Sequence, residues 1–338
     1  MDVGVFDHLD RRNVPLDEHY ASRLRLLERY DAAGFHAYHL AEHHATPLGM
    51  APAPGIFLAA ATQRTRRIRL GPCVYCLPLY DPLRLIEEIC MLDHLARGRF
   101  DLGVGRGIVP YEMAYFDFHH LETEEVYREA LDVILQGLTS DVLDHRGPRY
   151  TYRRVPMVLR PFQQPHPPLW YGLGHLEGAE WAATNHVHVI TNHPSEGAAP
   201  LFARYREVWQ RKHGTAAMPR LGMTRHVVVA ASDAEAEAIA RPNYAVWYAN
   251  LTKLWRDFGA LPIRFARDFD EARARGVAVA GTAARVAEEL ARHVEASGAT
   301  YLVGRMMFGD MTEAQATDSI DRFAAEVLPR LATLTPVG

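Results

Sequence analysis

The chain is short of cysteine, with three in 338 residues. Cys73 and Cys76 have the spacing of a metal or redox pair, but they lie on a strand-like run, LGPCVYCL, in which residues three apart point to opposite faces. No second cysteine pair or nearby Cys–His set completes a zinc site, so buried, reduced thiols are expected and a metal is not. Positive charge is not in excess: a net charge of -4 gives no electrostatic reason for nucleic acid or an anionic membrane as a partner. No apolar run reaches membrane-spanning length, and the N-terminal MDVGVFDHLD lacks the basic-then-apolar layout of a signal peptide, so the simplest expected address is the cytoplasm. Paired carboxylates are scarce where strands end, which argues against glycoside hydrolysis. The Gly-x-Ser-x-Gly elbow of serine hydrolases is missing as well.

What is present is an ordinary globular balance, 48% hydrophobic and 23% charged, enough to fill a core. The chain is organised around FHAYHLAEHH, Phe35 to His44, a short apolar strand closing on Glu42, His43 and His44. Alternation along a strand puts Glu42 and His44 on one face and His43 on the other. Three ionisable groups at a strand end cost desolvation energy unless they are paired, solvated or used, and imidazole is the side chain suited to moving protons near neutral pH.

Strand patterns recur at Val3–His8, Phe35 onward, Ile68–Leu77, Phe100–Val104, Pro168–Leu173, Val187–Thr191, Thr224–Ala231 and Thr300–Met306. Helical patterns separate them. The first, Leu16–Ala33, has Asp17 as a cap and Gly34 as a stop; Pro54–Thr65 is apolar almost all round; Pro82–Leu95 carries Leu85, Ile89 and Leu92 on one face. Two irregular insertions are expected. Asp141–Pro167 follows the fourth unit, with a hairpin near Arg146–Gly147; Arg241–Val279 follows the seventh and is rich in aromatics from Tyr244 to Phe269 that could cover an apolar pocket. Eight strand–helix units imply an α/β chain folded as a (β/α)8 barrel with insertions after strands 4 and 7, one domain over residues 1–338; an open doubly wound sheet is the alternative.

In such a barrel, function gathers where strands end. Those positions hold Asp7 and His8, Glu42 to His44, Cys73 to Tyr75, Arg106, Gly172 to Gly178, Thr191 to His193, Arg225 and His226, and Arg305 to Met307. Gly172–Gly178, GLGHLEG, joins a strand to a helix and offers free N–H groups to a phosphate; it also reads as a plain tight turn. The acidic residue that a dinucleotide site would place about twenty residues on is absent, so a monophosphate fits better. Arg106, in GVGRG, is a second phosphate anchor.

Four segments carry a family resemblance: AEHHATPLG at 41–49, RIRLGPCVYCLPLYDPLRLIEEICMLDHLARGRFDLGVGRG at 67–107, PPLWYGLGHLEGAEWAA at 167–183, and GT…VAEELARHVEASGATYLV at 281–303. With them the chain resembles the bacterial-luciferase-like, flavin-dependent monooxygenases over nearly its whole length. The resemblance implies reduced FMN across the C-terminal mouth of the barrel, supplied by a separate flavin reductase, with molecular oxygen and a small organic substrate. It implies catalytic roles for His43 and His44. It places Arg106 and the backbone around His175, Glu177 and Gly178 at the flavin phosphate, and Glu42, Cys73 and Val74 beside the ring. A non-proline cis peptide at the end of the third strand maps to Cys73–Val74. Pairing of two copies through the helices at 54–65 and 82–95 is also implied, hence a homodimer. The chain departs from luciferase at Gly105, where that enzyme has a cysteine, which puts light emission in doubt but not flavin use. Three alternatives stand beside this: a relative using a deazaflavin coenzyme for hydride transfer, a metal-dependent hydrolase with His8, Glu42, His43 and His44 as ligands, and a flavin-binding subunit without catalysis.

Overall fold

The computed structural model describes residues 1–119, 122–260 and 265–334. Its strands are β1 (Asp2–Asp7), β2 (Ala37–Leu40), β3 (Arg69–Pro72), β4 (Tyr75–Cys76), β5 (Leu102–Gly105), β6 (Val142–Arg146), β7 (Thr151–Pro156), β8 (Leu169–Gly172), β9 (His188–Thr191), β10 (Leu221–Val229), β11 (Ala278–Gly281) and β12 (Tyr301–Arg305). Parallel pairing runs β3–β2–β1–β12–β10–β9–β8–β5. A single bridge, Leu70 to Phe100, brings β3 against the start of β5, so the path closes. The result is the expected (β/α)8 barrel, with helices between successive strands. β3 and β4 are two halves of one barrel strand, interrupted by a cis peptide at Cys73–Val74, and β4 pairs with β5.

Local chemistry explains most boundaries. The first helix, Leu16–Ala33, stops at Gly34, whose φ of 85° is the left-handed conformation that glycine adopts without strain. Its start differs from expectation. Pro15 occupies the cap position and Asp17 falls inside the first turn, where it makes no capping hydrogen bond but still opposes the positive end of the helix dipole.

The hairpin expected near Arg146–Gly147 is the antiparallel pair β6–β7. The second insertion is far more regular than the sequence suggests. One helix runs from Asp233 to Asp257 straight through Pro242. Pro242 removes the ladder bond to the Ala238 carbonyl, but Tyr244, Trp247, Leu251 and Leu254 are buried at helical spacing. The gain from burying that face outweighs the proline. A short helix, Phe269–Ala274, and β11, which extends the upper part of β10, complete the segment; residues 261–264 of the aromatic stretch lie outside those described.

Two apolar clusters result. The large one fills the space between barrel and helices. The small one lies inside the barrel: Phe6, Ala41, Trp170, Ile190, Tyr301 and Val303, with Cys73 against it. Below this layer His39 Nε2 meets the Tyr301 hydroxyl at 3.0 Å and Trp170 stacks on His188 at 4.6 Å. Above it, at the carboxyl ends of the strands, the interior turns polar.

Candidate functional site

The polar mouth begins where β2 ends. His43 is buried and its Nδ1 lies 3.0 Å from Oε1 of Glu112, itself 2% exposed. A carboxylate only accepts, so Nδ1–H donates, and the neutral tautomer consistent with this bond has its lone pair on Nε2. The His43 ring stacks on His8 from the end of β1, centroids 5.8 Å apart. His8 in turn meets Trp247, whose Nε1 donates weakly to His8 Nδ1 at 3.4 Å. Burial, and then the charge of Arg305, hold His8 far below the usual imidazole range; the same two causes depress His226.

His44 faces the other way, as the alternation requires. Its Nε2 donates to Glu42 Oε1 at 2.8 Å, while Glu42 Oε2 accepts from the Cys76 amide at 3.2 Å and the Tyr80 hydroxyl at 2.9 Å. Burial raises the Glu42 carboxyl above its ordinary range, against the pull of these three donors. Both oxygens of Glu42 are therefore engaged by its own chain, and the carboxylate ties the end of β2 to β4.

Glu112 is the residue the sequence reading missed. It lies 69 positions beyond His43, on a short helix, Pro110–Ala114, started by a proline. The available signal was one acidic residue inside the apolar run IVPYEMAYF. The ring of Tyr111 on the same helix stacks on Phe258 at 4.5 Å and meets Trp255 edge-on at 6.0 Å. The aromatics of the second insertion thus do two jobs: Tyr244, Trp247 and Phe269 fill core, and Trp255 and Phe258 brace the helix that carries Glu112.

On the far side of the mouth, Arg106 is exposed and 3.6 Å from Glu124, a carboxylate it shares with Arg128. The following strand, β8, leads into Gly172 and Gly174, and a Cβ on either would meet nothing within 4 Å. His175 caps the helix Leu176–Thr184: its Nδ1 accepts from the Gly178 amide at 3.0 Å. The same nitrogen is 3.2 Å from Glu177 Oε2, and it cannot accept from one and donate to the other at once.

Cys73 and Val74 line the interior between these two sides. Burial pushes the Cys73 thiol up to about 12 and raises Cys76 well above its ordinary range, so both stay protonated. Gly105 packs directly on this turn; a Cβ there would sit 2.5 Å from Val74 Cγ2. Glycine is thus dictated by the neighbouring strand.

Among the described residues no three His, Cys, Asp or Glu side chains converge as a metal would require. Of the four ligands in the hydrolase alternative, Glu42 and His44 bind each other, His43 turns to Glu112, and His8 stacks on His43. Among the described residues no helix is long and apolar enough to cross a membrane.

This constellation lies at the carboxyl end of a parallel barrel, the face where barrels of this kind carry their functional residues. The model of the luciferase-like monooxygenase family matches residues 1–301, and the chain belongs to that family. An uncharacterised protein of Sinorhizobium fredii is 40% identical over 91% of each chain. The oxygenase component of a flavin-dependent trigonelline monooxygenase from Acinetobacter baylyi is 27% identical over 74% of this chain and 72% of its own. The fold is also that of the monooxygenase RslO1 of Streptomyces bottropensis, with a TM-score of 0.87 at 24% identity over 98% and 100% of the two chains. The oxygenating constituent of 3,6-diketocamphane monooxygenase of Pseudomonas putida, solved with FMN, superposes at 0.82 with 18% identity over 100% of both chains. A secondary alcohol dehydrogenase dependent on F420 shares the fold more distantly, at 0.72 with 17% identity over 98% of both.

Proposed function

We propose that the protein is the oxygenase component of a two-component flavin monooxygenase, one that takes reduced FMN from a separate reductase and oxygenates a small organic substrate with molecular oxygen. The observation that carries this reading is the His43–Glu112 pair. It holds an imidazole at the barrel mouth, beside the Cys73–Val74 turn, with Nε2 uncommitted among the described residues.

The residues fit FMN. Open space over Gly172 and Gly174 lets a phosphate approach the backbone, and among the described residues Arg106 has one surface carboxylate, Glu124, to leave. The Gly178 amide becomes available when His175 swings aside, which also frees that imidazole to donate to Glu177. Val74 and Cys73 provide a wall for the ring. When bound, the reduced flavin supplies the two electrons that activate oxygen. The chain supplies the rest. His43 gives or takes a proton at Nε2, Glu112 fixes its tautomer, and His44 with Glu42 positions the wall. Ile56 at 77%, Met91 at 57% and Leu95 at 44% exposure, on the helices Pro54–Arg64 and Pro82–Leu95, support pairing of two copies through that flank. The reading takes residues 1–338 as one catalytic unit acting in the cytoplasm.

Titration of the purified protein with reduced FMN and with a reduced deazaflavin, followed by oxygen uptake over a panel of aldehydes, ketones and aromatic compounds, tests the proposal. Reduced-FMN binding with substrate-dependent oxygen uptake is expected. Preferential deazaflavin binding without oxygen uptake would replace it with hydride transfer, and flavin binding without any turnover would reduce the chain to a carrier subunit. A substitution tests the phosphate site. Arg106→Ala is expected to weaken FMN by about ten- to hundred-fold, the effect of losing a charged hydrogen bond, and to leave riboflavin almost unchanged. Equal losses for both ligands would show that Arg106 only supports the rim.

A further inference from the structure

Two arginines are buried on β10 and β12, and among the described residues neither forms an ion pair with a carboxylate. Arg225 is fully engaged: Nε meets His293 Nδ1, Nη1 donates to the carbonyls of His193 and Thr224, and Nη2 donates to Ser195 Oγ. Arg305, at the end of β12, is not. It is 7% exposed; Nη2 donates to Asn192 Oδ1 at 2.5 Å, and Nε is buried with no partner. Asn192 is itself fixed by the Thr224 hydroxyl at 2.6 Å, so the guanidinium is held in place by neutral groups.

The surroundings share this character. The guanidinium lies over the Phe6 ring at 4.9 Å and near the Trp247 ring at 6.0 Å. The titratable groups that face it are His8, His226, Cys73 and Tyr244, none of them acidic, and Arg225, on the opposite face of β10, adds only positive charge. Burial lowers Arg305 only to about 10, so it remains a cation at neutral pH, while His8 and His226 stay uncharged. A buried, uncompensated cation is destabilising, and a chain that keeps one at a strand end in a barrel mouth is holding it for a counter-charge that arrives from outside.

Position separates this cation from the flavin phosphate. In the closed strand order, β12 and β1 stand across the barrel from β5 and β8, which carry Arg106 and Gly172–Gly178. The Arg305 half has an apolar floor and wall, Phe6 and Trp247, and an imidazole, His8, that leads to His43 through a ring stack. We infer that this half is the substrate subsite and that the substrate is an organic carboxylate, its anionic group on Arg305 and its apolar body between Phe6, Trp247 and His43. The inference rests on the flavin reading above and names the substrate class for it. A carboxylate matches the planar guanidinium and brings the counter-charge, whereas a neutral ketone or alkane would leave a bare buried cation.

The test uses the full chain without flavin, in calorimetric titrations at neutral pH with benzoate and hexanoate against benzamide and hexanamide, which keep the shape and remove the charge. Wild type is expected to bind the carboxylates at least about tenfold more tightly than the amides, and Arg305→Met to abolish that preference. Reduced-FMN affinity, measured anaerobically on both proteins, is expected to stay within about threefold, and the melting temperature of Arg305→Met without ligand to be no lower than that of wild type. Equal binding of acids and amides, no measurable acid binding up to about 10 mM, or a preference that survives in Arg305→Met would overturn the inference. A loss of reduced-FMN affinity above about tenfold in the variant would overturn it by assigning Arg305 to the flavin. A lower melting temperature with no acid preference in wild type would overturn it in favour of a structural arginine. If neither protein binds reduced FMN while the acid preference holds, the flavin reading falls and the carboxylate subsite stands.

Discussion

His43 and His44 are neighbours in the chain, and each meets a buried carboxylate, Glu112 at 3.0 Å and Glu42 at 2.8 Å. The pairs differ in what else each carboxylate holds. Glu42 sits two residues from its partner and also gathers the Cys76 amide and the Tyr80 hydroxyl, so its bonds close a local knot between β2 and β4. Glu112 arrives from a distant short helix and binds only His43 among the described residues. A carboxylate with both oxygens engaged by its own chain is a clamp. A carboxylate that orients one imidazole and leaves its other nitrogen free is the arrangement proton transfer requires. On the function proposed above, two histidines one position apart thus divide between support and chemistry through the other partners of their carboxylates.

Removing the clamp should have the largest effect. Glu42→Ala strands the amide of Cys76, the Tyr80 hydroxyl and the His44 ring in a buried place, and breaking such a pair typically costs about 3–5 kcal/mol. Urea unfolding should report a loss of that order; a change below about 1 kcal/mol would show that Glu42 clamps nothing.

A change of pH should act on the floor beneath both pairs. His39, buried against Tyr301, is lowered by burial to about 3, whereas the unfolded chain titrates near 6.5. Because the folded pKa is depressed, the unfolded state takes the proton first as pH falls. Stability is then complete above about 6.5 and is lost at roughly 1.4 kcal/mol per unit toward pH 3 for this one group. Thermal melts from pH 7 to 5 should show the decline, and His39→Asn should make it shallower by this one group's share, since His8, His226 and His188 are held neutral by burial in the same way; parallel curves for the two proteins would show that His39 contributes nothing to it.

Glu112→Gln should cost least in structure and still matter in turnover. The amide keeps the shape but loses the charge that favours a proton on Nδ1, and about ten- to hundred-fold in turnover is expected with little change in melting temperature. Unchanged turnover would separate Glu112 from the chemistry.

Most of the barrel was legible in the sequence, because each of its eight strands is a short apolar run bounded by glycine, proline or a charged turn. Glu42 and His44 meet each other while His43 turns the other way, as alternation along the FHAYHLAEHH run requires, and the resemblance pointed to the cis bond at Cys73–Val74. The second insertion was hidden by Pro242, which reads as a helix end until the buried period of Tyr244, Trp247, Leu251 and Leu254 is seen to override it. β11, AVAG, is too short and small to stand out from a loop. Glu112 was invisible for a different reason: nothing local distinguishes a carboxylate that will meet a histidine 69 residues away. The isolation of Arg305 could not be read at all, since a missing counter-charge is a property of eight strands brought together.

The division of labour is tested most directly by measuring turnover and melting temperature side by side on His43→Ala and His44→Ala, using the substrate found by the oxygen-uptake panel. The account predicts that His43→Ala loses at least about 100-fold in turnover, binds reduced FMN normally and melts close to wild type. His44→Ala, by contrast, should melt several degrees lower and keep most of its turnover once folded. Near-normal turnover in His43→Ala, or a turnover loss in His44→Ala as deep as that in His43→Ala with its melting temperature unchanged, would contradict it.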